Sequence, residues 1–188
     1  MKANTFNYHK QNNSKATPDR IVLEYDVEKA AIHEAGHFIL AKHFGLEVRL
    51  RLWRTEFIEP DVYKIVRGQC AREFTTAFQT CCIGWAGHVS EMLMMSEENI
   101  SAEDVFETAL DYFDENEASA TDLTHINGHP QKLRALRLAA KVMATRRGKV
   151  QQIIDAAKMR IIEEEAHEFV IEAPGRDAIP QFTRDFID

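Results

Sequence analysis

The chain has 188 residues, of which 45% are hydrophobic and 28% charged, so its length predicts one domain that buries a core without disulfide bonds. Its net charge of −7 is unevenly spread, because twelve Asp or Glu residues but no Lys or Arg lie between Arg72 and Lys132. This acidic segment argues against a nucleic-acid partner for the middle of the chain, since phosphate contacts need basic side chains. It favours metal ions and basic or neutral peptides instead.

The longest apolar stretches are far shorter than the roughly 20 residues that a membrane-spanning helix needs, so we expect no membrane span. Residues 1–20 are polar and lack the apolar segment of a signal peptide, which predicts a flexible lead. The three cysteines, two of them adjacent, do not suit a disulfide framework and favour a reducing, cytoplasmic location.

The first predicted element is a helix from Asp26, which can cap it, to Gly45, which can end it. Period-two alternation of apolar residues then predicts strands over 46–53 and 62–70, separated by Pro60. These two strands form a small β element that follows the first helix directly.

Helices account for most of the remaining chain. Residues 75–95 are apolar nearly all round and predict a buried helix, in which Gly84 and Gly87 allow close packing against a neighbour. Ser101 can cap an amphipathic helix within the acidic insert 96–117, which we expect to be an extra packed helix, with a lid near the site as the alternative.

Two further helices are predicted over 130–147 and 149–167, followed by an irregular tail over 171–188. The pattern as a whole predicts a mainly α fold of the α+β class, with one domain over 21–170. The small β element is expected beside the first helix.

The first predicted helix contains an HExxH motif formed by His33, Glu34 and His37. Residues four apart share one face of a helix, so both imidazoles can reach one zinc ion. Glu34 can take a proton from a zinc-activated water and return it to a leaving amine. Gly36 costs a mid-helix position about 0.5–1 kcal/mol relative to alanine, which predicts a close approach to the backbone there.

Two histidines are too few for a catalytic zinc ion, which usually has three protein ligands and a water. His43 lies six residues beyond His37, about 9 Å farther along a continuous helix and on another face, which disfavours it. Glu91 lies on the next long helix, and Asp122 lies just past the acidic helix. Spacing alone does not choose between Glu91 and Asp122.

Three segments of the chain resemble one family. Residues 25–45, which include His-Glu-Ala-Gly-His, are similar to the active-site helix of the FtsH-type AAA+ zinc proteases. Residues 84–93 resemble the small-residue helix of that family, and 120–123 resemble its segment that supplies an aspartate ligand. The resemblance covers roughly 22–160 and implies a zincin-like helical peptidase domain.

The resemblance implies a zinc metalloendopeptidase that cuts unfolded or exposed polypeptide, with His33, His37 and Asp122 as ligands and Glu91 as an acid beside them. An extended peptide would lie along the edge of the strand over 62–70. The family's ATPase needs a GxxxxGK[ST] loop, which this sequence lacks, so we expect a peptidase domain that meets a separate ATPase or self-associates. The alternative is a catalytically silent zinc-binding interaction or regulatory protein derived from a peptidase.

Overall fold

The computed structural model describes residues 18–55, 66–114 and 118–175. The helices are α1 (Pro18–His43), α2 (Ala77–Met95), α3 (Ala102–Asp111), α4 (Ala120–Ile126), α5 (Lys132–Ala144) and α6 (Arg147–Lys158), which continues as a π-helix over Met159–Glu163. The strands β1 (Val48–Arg54), β2 (Val66–Arg72) and β3 (Glu168–Ala173) form one antiparallel sheet in the order β2-β1-β3. The fold is therefore mainly helical with a small sheet, as the sequence predicts. None of the described helices is long and apolar enough to cross a membrane.

Helix α1 begins eight residues earlier than predicted, at Pro18 instead of Asp26. Proline is well suited to the first turn of a helix, and an ion pair between Arg20 and Glu24 at 3.1 Å supports the added turns. The C terminus follows the prediction, because Gly45 adopts a φ of 77° just after the helix. The predicted cap at Asp26 is therefore wrong, and the predicted end is confirmed.

The C-terminal region differs from its prediction. The helix predicted over 149–167 ends at Glu163. Strand β3 (Glu168–Ala173) then extends into residues that were predicted to form the irregular tail. Pairing with β1 forms this strand, a long-range contact that local patterning does not reveal. The predicted segments 1–17, 62–65 and 176–188 lie outside the described residues.

Helices α2 and α3 follow the sequence closely. Thr76 and Gln79 form a capping box at the start of α2. At the start of α3, the Ser101 hydroxyl accepts a hydrogen bond from the Asp104 amide at 3.1 Å. Helix α3 buries its apolar stripe against α5 and α2, so the insert contains a packed helix as expected.

Glycines set how closely α1 and α2 approach. A Cβ atom on Gly36 would collide with the backbone carbonyl of Ala86, and one on Gly87 would lie 2.5 Å from the His33 ring. Gly84 faces α4 instead, where an added Cβ would lie 2.8 Å from the Cβ of His125. The close packing predicted at all three glycines is confirmed.

The inner face of the sheet packs against α1 through buried apolar side chains of β1, namely Val48, Leu50 and Leu52. Residues paired directly across antiparallel strands point to the same face. The register pairs Leu52 with Gly68 and Leu50 with Cys70, so alternate residues of β2 face α1. Strand β2 is thereby held beside the HExxH turn.

We expect Gly36→Ala to lower the free energy of unfolding by about 1–3 kcal/mol or more, because the added methyl group has to displace the α2 backbone. The matched control is Gly148→Ala in α6, where nothing lies within 4 Å of an added Cβ. That change should be neutral or stabilise by up to about 1 kcal/mol through helix propensity. Urea unfolding of both variants measures the difference, and equal stabilities would contradict the close approach.

Candidate metal centre

Three polar side chains from two helices converge beside the α1–α2 contact. His33 and His37 lie one turn apart on α1, and their Nε2 atoms are 3.1 Å apart. Asp122 on α4 places Oδ2 3.1 Å from His33 Nε2 and Oδ1 3.4 Å from His37 Nε2. The ligand atoms of these three residues all lie within 4.8 Å of one another, so the group could hold a metal ion.

The other ring nitrogen of each histidine has an acceptor as its partner. His37 Nδ1 donates to the Ile83 carbonyl at 2.7 Å, and His33 Nδ1 donates to Glu91 Oε1 at 2.8 Å. Because carbonyl and carboxylate oxygens only accept, both Nδ1 atoms carry a proton, and Nε2 is the nitrogen of each ring that faces Asp122 and can bind a metal ion once it carries no proton. Such partners are typical of metal-ligating histidines.

These donors require a cation between them. Two Nε2 lone pairs and a carboxylate repel one another unless a proton or a metal ion lies among them. Donors bound to a tetrahedral zinc ion at about 2.0–2.1 Å stand roughly 3.3 Å apart, close to the separations among His33, His37 and Asp122. The donor set therefore fits a metal ion of this kind.

Without a metal ion, a proton on His33 offsets the repulsion among these side chains. Burial lowers the pKa of His33, but its hydrogen bonds with Asp122 and Glu91 outweigh burial and raise the pKa to about 10. Burial opposes ionisation of Asp122 too, yet the two histidines hold its pKa well below the usual range. His33, His37 and Asp122 therefore share a proton, and their arrangement favours a bound positive charge.

Helix α4, which the sequence analysis missed, fixes Asp122. Ser119 caps this helix: its hydroxyl accepts from the Asp122 amide at 3.1 Å and donates to Asp122 Oδ2 at 2.7 Å. The Ser-x-x-Asp spacing was a usable signal, since it resembles a capping box. With Asp122 only 7% exposed, the carboxylate has little freedom to turn away from the histidines.

Glu34 lies beside the three candidate ligands and outside their group. Its side chain crosses the inner face of β2 at Gly68, where an added Cβ would collide with Glu34 Cγ. Burial raises the pKa of Glu34, against the opposing charges of His37 and His33. A glycine inside a strand often marks a close approach, so Gly68 is a site residue that the sequence could have indicated.

The remaining candidates take other positions. His43 ends α1 with its ring 5.5 Å from that of Phe44 and does not belong to the group of three. Glu91 contacts His33 at Nδ1, the nitrogen that faces away from the other two donors. Cys70 on β2 was not expected at the site, and burial with the charge of Glu34 raises its pKa to about 12, so it is a neutral thiol.

No model of a known protein family matches the sequence, and no curated protein matches it. The interpretation of the site therefore depends on its geometry.

Metal analysis of the purified protein should give one ion per chain, and His37→Ala should abolish stoichiometric binding because it removes a donor from the group. His43→Ala is the matched histidine control and should bind normally. Glu91→Ala should still bind one ion, about 10–100-fold more weakly, because it removes the acceptor of the His33 Nδ1 proton. Loss of the ion in His43→Ala would contradict this set of ligands.

Metal affinity should rise with pH. Since the metal-free cluster keeps a proton on His33 up to a pKa of about 10, binding must expel that proton. The apparent association constant should therefore increase about tenfold per pH unit between about pH 6 and 8.5. Competition with a chelator of known proton affinity measures the slope, and a flat profile would exclude the shared proton.

Proposed function

We propose that the protein is a zinc metallopeptidase that hydrolyses peptide bonds in unfolded or exposed polypeptide segments. The observation that carries this proposal is the convergence of His33, His37 and Asp122 with Glu34 beside them. Three protein ligands are typical of catalytic zinc sites, whereas structural sites usually have four. A structural ion also has no need of the half-buried carboxylate of Glu34.

In the proposed reaction, His33, His37 and Asp122 hold the ion. When bound, zinc would supply a Lewis acid that polarises the scissile carbonyl and acidifies water. Glu34 accepts a proton from the attacking water and donates it to the leaving amine, so that it ends in its starting state. Its raised pKa suits both halves of this proton transfer near neutral pH.

Strand β2 offers a route for the substrate. Strand β1 is central in the sheet, so within the described ranges the far edge of β2 pairs with no other strand. An extended peptide can add to such an edge through backbone hydrogen bonds. Gly68 on this strand contacts Glu34, which would bring the backbone of an added peptide close to the proposed general base.

Glu34→Gln should abolish cleavage of denatured casein while metal content stays at one ion per chain, because the amide cannot accept the proton. The matched control is Glu107→Gln on the exposed face of α3, which should cleave as the wild type does. His37→Ala should lose both the ion and the activity. Full activity in Glu34→Gln would refute the proposed general base.

The same assay separates the peptidase from the alternative of a catalytically silent zinc-binding protein. Chelator-sensitive cleavage by the wild type that returns on adding zinc supports the peptidase. One bound ion with no turnover of any unfolded substrate would favour the silent role.

A further inference from the structure

The inner face of β2 continues past the candidate metal centre to Arg72. Gly68 lies against Glu34, and the charges of Glu34 and Asp122 both act on the Cys70 thiol, the next inward residue. Alternate residues of a strand are about 6.6–6.8 Å apart and share a face. Arg72 is therefore the inward residue one such step beyond Cys70.

Helix α4 brings His125 to the same end of the site. His125 follows Asp122 by about one helical turn, with its Cβ against Gly84 of α2. Burial lowers the pKa of His125, and the charges of Arg72 and His37 lower it further. The charge of Arg72 therefore acts on the helix that carries Asp122, which puts Arg72 near the α4 side of the candidate metal centre.

Arg72 differs from the arginines on the outer face of the sheet. Arg49 pairs with Glu172 at 3.3 Å and Arg51 with Glu168 at 2.7 Å. Arg72 Nη1 donates to the Glu73 carbonyl at 3.1 Å, and no carboxylate in the described part of the chain lies within ion-pair distance of it. Its half-buried guanidinium thus keeps donors that match a carboxylate in geometry and charge.

We propose that Arg72 receives a carboxylate group of the substrate, either an acidic side chain or a free C terminus, within about four residues of the cleaved bond. This inference rests on the proposed peptidase function and adds a specificity determinant to it. For this one subsite it reverses the preference for basic or neutral peptides that the overall charge favours.

The first step of the test maps cleavage sites made by the zinc-loaded protein in denatured casein. We expect Asp, Glu or chain ends to be enriched at one fixed distance from the cuts. Synthetic peptides based on a mapped site then carry Glu or Gln at that position, each with a free or an amidated C terminus. The Glu and Gln pair tests a side-chain carboxylate, and the free and amidated pair tests the C terminus.

The wild type should favour the carboxylate-bearing peptide at least about tenfold in kcat/KM, the scale of one charge-assisted contact. Arg72→Gln should bring the ratio of the two kcat/KM values close to one, and Arg72→Glu should favour Lys at that position. Arg67→Gln is the matched control, since Arg67 lies on the outer face of the same strand, and it should keep the wild-type ratio.

Two results would overturn the subsite. Cleavage without a carboxylate preference, or a preference that Arg72→Gln leaves intact, refutes the subsite while the proposed peptidase stands. If nothing is cleaved, the proposed function fails, and binding of fluorescent unstructured peptides that differ only in one Glu or Gln to the zinc-loaded protein decides whether Arg72 receives a carboxylate. Equal affinities would then refute it, and a tighter Glu peptide that loses its advantage in Arg72→Gln would support it.

Discussion

The close approach of the α1 and α2 backbones is the constraint on which the candidate site depends. Gly36 removes the side chain that would strike Ala86, and Gly87 leaves space for the His33 ring. With the helices this close, His37 reaches the Ile83 carbonyl and His33 reaches Glu91 on α2. The contact that packs the core therefore also fixes the orientation of both imidazoles, so stability and metal binding are linked through the same residues.

The carboxylates around the two histidines favour binding of a cation at the site. The acidic segment places most of its carboxylates on solvated surfaces such as the exposed face of α3, but Glu91 and Asp122 turn toward the two histidines. The resulting cluster holds one proton tightly when no metal is bound. The charge of Arg72 on β2 acts on His125 of α4, so a basic side chain also lies near this acidic centre.

The sheet carries the second half of the site. Strand β3 comes from the end of the described chain and pairs with β1, which in turn holds β2 against α1. Glu34 packs where β2 has a glycine, so the proposed general base sits between a helix and a strand that are far apart in sequence. A change in the pairing of β3 would therefore be transmitted to the position of Gly68.

The sequence by itself determined the elements whose cause is local. Helical spacing places His33 and His37 on one face, and the glycines of α1 and α2 indicated close packing before any contact was known. Three features were not predicted, namely helix α4, the early start of α1 and strand β3. Helix α4 has only seven residues, which carry little periodicity, and a strand such as β3 that forms by distant pairing has no local signature.

Only the tertiary structure decided which acid completes the group. Spacing did not choose between Glu91 and Asp122, and only the family resemblance favoured Asp122, since ligand geometry depends on the directions of side chains from separate helices. The packing of α4 on α2 brings Asp122 to the Nε2 side of the histidines, while Glu91 reaches the Nδ1 side of His33. The candidate ligand Asp122 and the supporting Glu91 therefore differ in which ring nitrogen of His33 they contact. Residue spacing in the sequence does not reveal which nitrogen an acid will face.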